Sequence, residues 1–570
     1  MILFVAFVGL LVAAIVNSDD PFHPQFHPGP ATHWMNDPNG PMYYQGNYHL
    51  FFQYNPTGPN WGDMSWGHII SKDLAHWHHL PVALSPDMAY DKRGVFTGST
   101  TILDDGTPVI VYTCVNSGQQ QCVAYPANKS DPFLTNWTKP DYNPVIKDPP
   151  PGGVAGSFRD DTTAWKSGGS WKLVVGASIN GHGAASLWDS KDFKTWTYVH
   201  PLYTTTQYGM WECPDFYPLH DSKNTYALKY SAGGRDWYTL GSYDESKQVL
   251  VPSGNATLFD YGHVYASKRF YDPVKKRQIF YGWVSEEDKG GSQRGWQGIQ
   301  TLPRSLTLDS DLAIVLSTPV DELASLRKTG TSMKNVQLAA GQTMPLKGVS
   351  GLQLEIEANF TFDKAAASQR FGISVRMSLD GSMRTDILFV HQNMTGPMNN
   401  TDLPGDEYRQ FPYKVGNTEE ANIALCKETC DNETKCVAWT YVRKGDPVVP
   451  RCSLKNGIPH LNPNKFCVSG IKRTNMSETT FMVDRSKTGG DGNQGSVQAP
   501  LPMKSGEETV TIRAFVDHSI IESYAQGGRA VITSRVYPDA SADGVALVNY
   551  GSQPINAASV QVWPMNNCWV

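Results

Sequence analysis

Three short segments of the sequence place acidic residues in surroundings that suit sugar chemistry. They are Trp-Met-Asn-Asp-Pro-Asn-Gly at residues 34–40, Phe-Arg-Asp at residues 158–160 and Trp-Glu-Cys-Pro-Asp-Phe at residues 211–216. Alone, the first would be an ordinary turn and the second an ordinary surface ion pair. Aromatic and amide side chains follow the first segment closely, however, between residues 48 and 68. Since sugars stack on aromatic rings, hydrogen-bond to polar groups and react at carboxylates, this mixture predicts a carbohydrate site.

Taken in this order, the three segments resemble the signature motifs of glycoside hydrolase family 32, whose members include invertases, fructan exohydrolases, inulinases, levanases and plant fructosyltransferases. The resemblance runs from about residue 24 to the C-terminus, with one interruption. It implies an all-β chain in which a five-bladed β-propeller precedes a β-sandwich. It also implies a retaining hydrolase that removes terminal β-D-fructofuranosyl groups from sucrose or fructans through a fructosyl-enzyme intermediate.

The resemblance also implies roles for individual residues. Asp37 matches the nucleophile, Glu212 the acid/base, and Asp160 the residue that holds sugar hydroxyls and stabilises the transition state. In a polar turn with backbone amides nearby, Asp37 is expected to stay ionised, whereas Glu212, beside other carboxylates, is expected to hold a proton. Arg159 is expected to keep Asp160 ionised and oriented. Together with Arg159, the residues that match sugar-contacting positions of the family are Asn36, Gln53, Trp61, Phe96 and Ser99.

The sequence departs from the family pattern at three places. Position 161 is Asp where the family has Pro, and Phe-Thr-Gly-Ser at residues 96–99 stands where plant members have Trp-Ser-Gly-Ser. The Asp/Lys pair with which plant invertases recognise the glucose of sucrose has no clear match near residues 232–236. Three interpretations therefore stay open: a hydrolase of sucrose or fructans, a fructosyltransferase that uses sucrose, and a carbohydrate-binding protein on an inactive hydrolase scaffold.

Charge and composition narrow the classes of partner. The formal net charge is −6 at pH 7 and no basic patch stands out, so a nucleic-acid partner is not expected. Carboxylates and one Arg can supply all the charge handling that a glycosidase needs. The first half of the chain has no run of His, Cys and acidic residues at metal-ligand spacing, so neither a metal nor an organic cofactor is expected.

The N-terminus predicts export from the cytosol. The apolar run from Ile2 to Val16 is short for a membrane span, and the small residues that follow predict a signal peptide over residues 1–18, cut near Ser18. No Lys or Arg precedes the run, so an uncleaved anchor stays open. Sequons for N-glycosylation, which a secreted chain can use, begin at Asn128, Asn136, Asn255, Asn359, Asn393, Asn399, Asn432 and Asn475.

Short apolar runs separated by turns must build the scaffold that positions these residues. Ser-Lys-Asp segments that lead to Trp77 and Trp196, with a looser copy before Trp137, recur about 60 residues apart and are typical of propeller blades over residues 24–317. Thr318 is predicted to cap a short helix within a linker over residues 318–345. Strict two-residue alternation then predicts a β-sandwich over residues 346–570.

The cysteines predict a separate small module inside the sandwich. Five of the nine Cys lie at positions 426, 430, 436, 452 and 467, and their setting resembles PAN/apple modules over residues 396–477. Such modules bind proteins or polysaccharides, while a purely stabilising insertion or a metal site stay open. Cys114 and Cys122 flank a turn and could form a disulfide, and Cys213 is expected to be a packed thiol. The oligomeric state is not predicted.

Overall fold

The structure, a computed structural model, describes residues 20–219, 224–363, 366, 368–393, 398–412, 418–443, 445, 450–456, 462–472, 477–492 and 495–570. The predicted signal peptide over residues 1–18 and the sequon at Asn475 lie outside these residues. Within the described ranges, no helix combines the length and the apolar character needed to cross a bilayer.

The N-terminal half forms five sheets, antiparallel except where β1 pairs with a short returning strand, and these are the blades of a β-propeller. Blade one contains β1 (His33–Tyr44), β2 (Asn47–Asn55), β3 (Ser65–Ser71) and β4 (Trp77–Leu84). Blade two contains β5 (Gly94–Ile102), β6 (Pro108–Val115), β7 (Gln119–Pro126) and β8 (Trp137–Thr138). Blade three contains β9 (Gly153–Asp161), β10 (Trp165–Ser167), β11 (Ser170–Ile179), β12 (His182–Ser190) and β13 (Thr197–Thr205).

The last two blades complete the ring. Blade four contains β14 (Glu212–Pro218), β15 (Tyr226–Ala232), β16 (Arg235–Asp244), β17 (Val249–Pro252) and β18 (Thr257–Leu258). Blade five begins with β19 (Tyr265–Asp272) and β20 (Arg277–Val284), while β21 (Trp296–Gln297) returns to blade one and pairs with β1. A 3-10 helix over Gly291–Arg294 precedes β21, and blade five ends with β22 (Ile299–Gln300), β23 (Arg304–Asp309) and β24 (Ile314–Pro319).

The first strands of the five blades line the centre of the propeller. β1 contacts β5, and the contacts continue through β9, β14 and β19 back to β1, so the ring is closed. Middle strands such as β6 and β11 are buried on both faces, because each blade packs between two others. Their sequences are accordingly nearly continuous apolar runs rather than alternating ones.

The Ser-Lys-Asp repeat marks the turn between the third and fourth strands of a blade. The Asp73 carboxylate accepts hydrogen bonds from the backbone N–H groups of Ala75 and His76, at 2.9 and 2.8 Å. Asp192 makes the same contacts with Lys194 and Thr195, at 2.9 and 2.8 Å. An Asp side chain that replaces a backbone acceptor stabilises such a turn, which explains why the segment recurs at the same place in blades one and three.

Two six-stranded sheets pack face to face as a β-sandwich in the C-terminal half. One contains, in spatial order, β25 (Thr331–Leu338), β41 (Ile555–Pro564), β27 (Gln353–Thr361), β37 (Thr509–Asp517), β38 (Ile520–Ala525) and β39 (Ala530–Arg535). The other contains β26 (Thr343–Ser350), β40 (Gly544–Asn549), β28 (Ser368–Met377), β29 (Arg384–Asn393), β35 (Ser477–Lys487) and β36 (Ser496–Pro500).

The linker is shorter than the sequence predicts. β25 pairs with β41, so the sandwich begins near Thr331 and not at residue 346. This strand lies at a sheet edge with mostly exposed side chains, and it therefore lacks the apolar alternation that reveals a half-buried strand. The connecting helix is a 3-10 helix over Asp321–Leu326. The predicted Thr318 cap is wrong, because that residue still belongs to β24 and its hydroxyl donates to the Gly527 carbonyl.

The chain leaves the sandwich after β29 and returns at β35, whose facing ends pair Asn393 with Ser477. Between them it forms a separate five-stranded sheet and a helix: β30 (Met398–Asp402), β31 (Glu407–Pro412), α1 (Glu419–Asn432), β32 (Ala438–Val442), β33 (Arg451–Lys455) and β34 (Asn462–Ile471). The Thr418 hydroxyl caps α1 by accepting from the Ala421 backbone N–H. Disulfides join Cys426 to Cys452 and Cys430 to Cys436 under a small core that includes Trp439.

Propeller and sandwich meet at a cluster of buried charged side chains, the interface cluster. It comprises His27, Asp260, Arg304, Asp517 and Glu522, all fully buried. Arg304 donates to Asp260 at 2.8 Å and, through two nitrogens, to Glu522. The His27 ring bridges Asp517, at 2.8 Å, and Glu522, at 3.1 Å. Every carboxylate of the cluster thus has a cationic or N–H partner.

Candidate active site

A β-bulge interrupts the first strand of every blade near the centre of the propeller. The pairing register shifts between Met35 and Pro38 in β1 and between Val95 and Gly98 in β5. Matching shifts occur around Asp160 in β9, between Glu212 and Asp215 in β14, and between Tyr265 and Lys268 in β19. A bulge turns a side chain away from the regular alternation of the strand. Bulge residues from all five blades line one pocket: Asn36, Asp37, Phe96, Thr97, Asp160, Cys213 and Ala266.

The bulges hold three residues in a backbone conformation that side chains disfavour. Asp160, Cys213 and Ala266 have φ angles of 66°, 45° and 54°. Each costs on the order of 1 kcal/mol or more and persists because the surrounding blades fix it. The pocket has a volume of ≈ 340 Å³, within the range of small-molecule sites, and it is also lined by Trp34, Gln53, Trp61, Gln119, Arg159, Glu212, Tyr265 and Trp283.

Asp37 lies on the pocket wall and accepts hydrogen bonds from side chains. Thr97 donates to its Oδ2 at 2.6 Å and Asn36 to its Oδ1 at 3.0 Å. The expected backbone amide donors do not contact this carboxylate among the described residues. Burial raises the pKa of Asp37, the two donors oppose that shift, and the charge of Glu212 adds to it. Burial thus works against the ionised form of Asp37, while the Thr97 and Asn36 donors favour it.

Asp160 lies close to Asp37, with the Cys213 thiol between the two carboxylates. The Cys213 Sγ is 3.7 Å from Asp37 Oδ2 and 3.5 Å from Asp160 Oδ2, and the Cys213 backbone N–H donates to Asp160 at 3.2 Å. Burial, together with the charges of Asp37 and Glu212 and against that of Arg159, raises the pKa of Asp160 to about 7. Burial also raises the pKa of the Cys213 thiol, which is the packed, protonated group that the sequence predicts.

Glu212 is held from both sides. Arg159 donates to its Oε1 through Nε, at 3.2 Å, and through Nη2, while the Tyr265 hydroxyl donates to Oε2. Burial raises the pKa of Tyr265, which keeps this hydroxyl a donor. Arg159 forms an ion pair with Asp160 at 3.8 Å, and its charge opposes the rise in the pKa of that carboxyl group, but its hydrogen bonds go to Glu212. The long Arg159 side chain reaches past Asp160 to Glu212 on the next blade.

Aromatic rings form the walls and the rim of the pocket. Trp61 is 59% exposed at the rim, and its ring meets the Phe96 ring edge to face at 5.9 Å. Trp34 and Trp283 meet in the same way, also at 5.9 Å. Such faces accept the apolar side of a sugar ring, while Asn36 and Gln53 offer polar groups.

Two residues singled out in the sequence lie behind the pocket instead of on its wall. The Ser99 hydroxyl donates to the Asp161 carbonyl at 2.7 Å and does not line the pocket. Asp161 is fully buried, and its carboxyl oxygens accept no hydrogen bond from any described residue. Burial, against the charge of Lys268, raises the pKa of Asp161 well above its usual range, so the residue that replaces Pro is a buried acid whose ionisation the fold disfavours.

Lysines support the same floor. Lys268 donates to the Asp161 carbonyl and to Ser99 Oγ, and Lys229 donates to the Cys213 carbonyl at 3.0 Å. Asp236, in the segment searched for the glucose-recognising pair, forms an ion pair with Lys229 at 3.5 Å and does not line the pocket.

Several pocket residues were missed in the sequence: Trp34, Thr97, Gln119, Tyr265, Ala266 and Trp283. Trp34 and Thr97 belong to sequence segments that contain predicted site residues. Knowing where the β-bulge falls in each segment would have identified them as pocket residues. Gln119 and Tyr265 belong to blades whose sequence carries no acidic motif there, and only the closed ring brings them to the site.

Comparisons with known proteins match most of the chain to the two domains of one family. Residues 27–319 match the Glycosyl hydrolases family 32 N-terminal domain, and residues 322–564 match the Glycosyl hydrolases family 32 C terminal domain. An acid beta-fructofuranosidase of Vigna radiata is 36% identical over 578 residues, which cover 96% of this chain and 80% of the relative. Acid beta-fructofuranosidase 2, vacuolar, of a Rosa hybrid cultivar is 35% identical over 575 residues, covering 96% and 81%.

Solved structures agree with these matches. Fructan 1-exohydrolase IIa of Cichorium intybus superposes with a TM-score of 0.78 at 30% sequence identity, covering 97% of this chain and 99% of that one. A variant of the same enzyme was solved in complex with 1-kestose. It superposes with a TM-score of 0.78 at 29% sequence identity, covering 97% of this chain and 99% of that one.

Proposed function

The chain belongs to glycosyl hydrolase family 32 and is a β-fructofuranosidase-type enzyme, and from that premise we propose that it releases terminal fructose from sucrose and fructans with retention of configuration. The observation that supports this proposal is the meeting of Asp37, Asp160 and Glu212, from three different blades, at one aromatic-walled pocket. Asp161, which raised the alternative of an inactive scaffold, lies outside that pocket and removes none of the three carboxyl groups.

In the proposed first step, an Asp37 oxygen attacks the anomeric carbon of the fructosyl unit. The glycosidic bond breaks as Glu212 gives its proton to the departing oxygen. In the second step, Glu212 takes a proton from water, the water oxygen attacks the same carbon, and the bond to Asp37 breaks. Thr97 and Asn36 hold Asp37, while Arg159 and Tyr265 hold Glu212, so neither carboxyl group has to reorient during the reaction.

Asp160 is proposed to hold the fructosyl hydroxyls. With a pKa of about 7 it carries its proton in acid, and it can then both donate to and accept from a sugar hydroxyl. Trp61 and Phe96 at the rim are proposed to stack on the unit that leaves, either glucose or the next fructose. Phe96 and Thr97 replace the Trp and Ser that plant members have there. The property of this pocket most affected should therefore be the choice between water and a second sugar as acceptor.

The experiment is chromatography of the sugars released from sucrose, 1-kestose, inulin and levan. Free fructose as the main product supports a hydrolase, and products longer than the substrate at high sucrose support a fructosyltransferase instead. Absence of fructose from every substrate would overturn the proposal. With methanol as acceptor, retention predicts methyl β-D-fructofuranoside, and the α-anomer would contradict the fructosyl-enzyme intermediate. Activity in a chelator should be unchanged, since no metal is proposed.

The proposed setting is outside the cytosol. The N-terminal apolar run and the sequons support a secreted glycoprotein, and the relative named vacuolar makes the vacuole the alternative destination. Asn128, Asn136, Asn255 and Asn432 are exposed, whereas the Asn359 side chain bonds to Ser559 and Thr511 across the sheet. Glycopeptide mass spectrometry should find glycans among the four exposed sites and none at Asn359.

The inserted sheet between β29 and β35 is proposed to be a PAN/apple-like module that positions the enzyme on a polysaccharide or a protein. It interrupts the sandwich at adjacent strand ends, and no pocket residue belongs to it. Replacing residues 396–477 with a short Gly/Ser loop should leave sucrose hydrolysis near normal and weaken retention on cell-wall material. Loss of hydrolysis in a folded variant would show that the insertion shapes the active site.

A further inference from the structure

A hairpin of blade two holds the segment that carries Arg159 and Asp160. The hairpin consists of β6, a turn over residues 116–118 and β7. β9 pairs with β11 along one edge, and no described strand pairs with its other edge. Buried backbone groups need a partner from elsewhere. Side chains of the hairpin supply it.

Three polar side chains make these contacts. Gln119 Oε1 accepts from the Phe158 backbone N–H at 2.9 Å, and Gln121 Nε2 donates to the Phe158 carbonyl at 3.2 Å. Thr113 Oγ1 accepts from the Asp160 backbone N–H at 2.9 Å. Thr113 and Gln121 are fully buried and also bond to each other, at 2.9 Å, so they form a rigid backing for the segment.

Gln119 differs from the other two because it also faces the pocket. The same Oε1 that accepts from Phe158 accepts from Arg159 Nη1 at 3.2 Å. Arg159 uses its remaining nitrogens, Nε and Nη2, on Glu212. A continuous chain of hydrogen bonds therefore runs from the hairpin through the guanidinium to the proposed acid/base.

The hairpin is closed by a disulfide between Cys114 and Cys122, both fully buried. The two cysteines flank the short turn that presents Gln119, and the Asn116 backbone N–H bonds to the Gly118 carbonyl across it, at 3.2 Å. This cross-link fixes the strand ends on both sides of Gln119. The side chain consequently starts from a fixed backbone position on the pocket wall.

We propose that Gln119 is a positioning residue for the acid/base Glu212, acting through Arg159; this inference rests on the proposed function. Arg159 Nη1 also donates to the Gly156 carbonyl, at 3.2 Å, so without Gln119 it keeps that acceptor but loses the one on the hairpin, and the guanidinium is held less firmly. Glu212 then loses the orientation in which its proton points at the departing oxygen. The step that suffers is protonation of the leaving group, while attack by Asp37 is unaffected.

The test compares two substrates whose leaving groups differ in their need for a proton. Gln119→Met removes the acceptor at nearly constant size, and Gln120→Met is the matched control, because the Gln120 side chain bonds to the Lys147 carbonyl and does not line the pocket. For sucrose, kcat of Gln119→Met should fall about 10- to 100-fold. For p-nitrophenyl β-D-fructofuranoside, whose leaving group needs little protonation, the fall should stay below about threefold. Gln120→Met should stay within about twofold on both.

Equal losses on the two substrates would overturn the proposal, since they would assign Gln119 to substrate binding or to the fold. No loss on sucrose would overturn it as well. If Gln119→Met does not fold, Gln119→Asn carries the same test, because its amide is one methylene too short to reach Arg159. Failure of the proposed function looks different: the unsubstituted enzyme would then release no fructose from either substrate.

Discussion

One group of buried carboxyl groups lines the pocket, and another joins the propeller to the sandwich. In the interface cluster, burial would disfavour the charge of Glu522, yet Arg304 and His27 outweigh it and lower its pKa to about 2. The pKa of Asp517 is lowered in the same way, against burial, by His27. In the pocket, burial dominates and the pKa values of Asp37 and Asp160 are raised.

The difference lies in the supply of partners. The interface carboxylates receive Arg304 and His27 along with backbone N–H groups, so their charges are satisfied where they lie. The pocket carboxyl groups have a single arginine among them, Arg159, whose hydrogen bonds go to Glu212. The other carboxyl groups therefore keep lone pairs open to a ligand. A fully paired carboxylate stabilises the fold but has no lone pair left for catalysis. Crowded, underpaired carboxyl groups are the arrangement expected where catalysis needs them.

The largest effect should come from neutralising a pocket carboxylate. Asp37→Asn keeps an acceptor for Thr97 but removes the nucleophile, so kcat/KM on sucrose should fall about 10⁴-fold or more. Because the change also relieves repulsion from Glu212, the thermal midpoint should stay equal or rise. Activity assays and calorimetry on the same preparation check both. A variant that loses its fold together with its activity would mean that Asp37 stabilises the fold, as the carboxylates of the interface cluster do.

The complementary change breaks the interface cluster. Arg304→Met leaves Glu522 and Asp260 buried without their cation, and unpaired buried charges of this kind cost about 3–5 kcal/mol of unfolding free energy. Lys166→Met is the control, since its ion pair with Asp104 is solvent-exposed and worth at most about 1 kcal/mol. Urea denaturation measures both. Equal effects of the two substitutions would mean that the interface cluster adds nothing beyond a surface ion pair.

The sequence predicted the two-part fold, which is confirmed, and its motifs named three acidic residues that the structure brings to one pocket. It did not locate Gln119 or Tyr265, whose roles depend on which blades become neighbours when the ring closes. Ser99 matches a sugar-contacting position of the family, but here its hydroxyl bonds to the Asp161 carbonyl behind the pocket, a contact between blades that the sequence does not show. The raised pKa of Asp37 could not be foreseen either, since its main cause is burial, and the Thr97 donor comes from the neighbouring blade.

The pH dependence of the unfolding free energy should distinguish the contribution of His27 from that of the carboxylates in the interface cluster. Glu522 has a lowered pKa, so its contribution is present above 4.5, its usual value, and is lost as pH falls toward about 2. Burial opposes the charge of His27, but Asp517 and Glu522 raise its pKa, so its contribution is present below 6.5 and is lost as pH rises through the folded value. The cluster should therefore be most stabilising between these limits.

His27→Gln isolates the alkaline side of that window. The substitution keeps hydrogen-bonding groups but removes the charge, so its destabilising effect should be greatest near pH 5 and shrink toward pH 9. Urea denaturation at several pH values gives the difference in unfolding free energy. A difference that does not vary with pH would mean that the ring is neutral at the interface throughout.

The smallest effect on turnover concerns Asp161, a buried acid that belongs to neither group. Its carboxyl group has no donor among the described residues and does not reach the pocket, so burial raises its pKa well above 3.8. In acid both states are protonated and the side chain is harmless. As pH rises past 3.8, the unfolded chain ionises while the folded chain cannot, and stability falls by about 1.4 kcal/mol per pH unit up to the folded pKa.

Asp161→Asn has the same shape and no ionisation, so it should abolish that loss. The variant should match the unsubstituted protein at pH 3.5 and melt at a higher temperature at pH 7, with kcat on sucrose changed less than about threefold, since the side chain lies behind the wall. Calorimetry at the two pH values is the measurement. An equal or lower midpoint at pH 7 would mean that Asp161 is ionised and paired in solution, as an interface carboxylate is. A large change in kcat would instead mean that Asp161 acts together with the pocket carboxyl groups. The replacement of Pro by Asp would then affect catalysis.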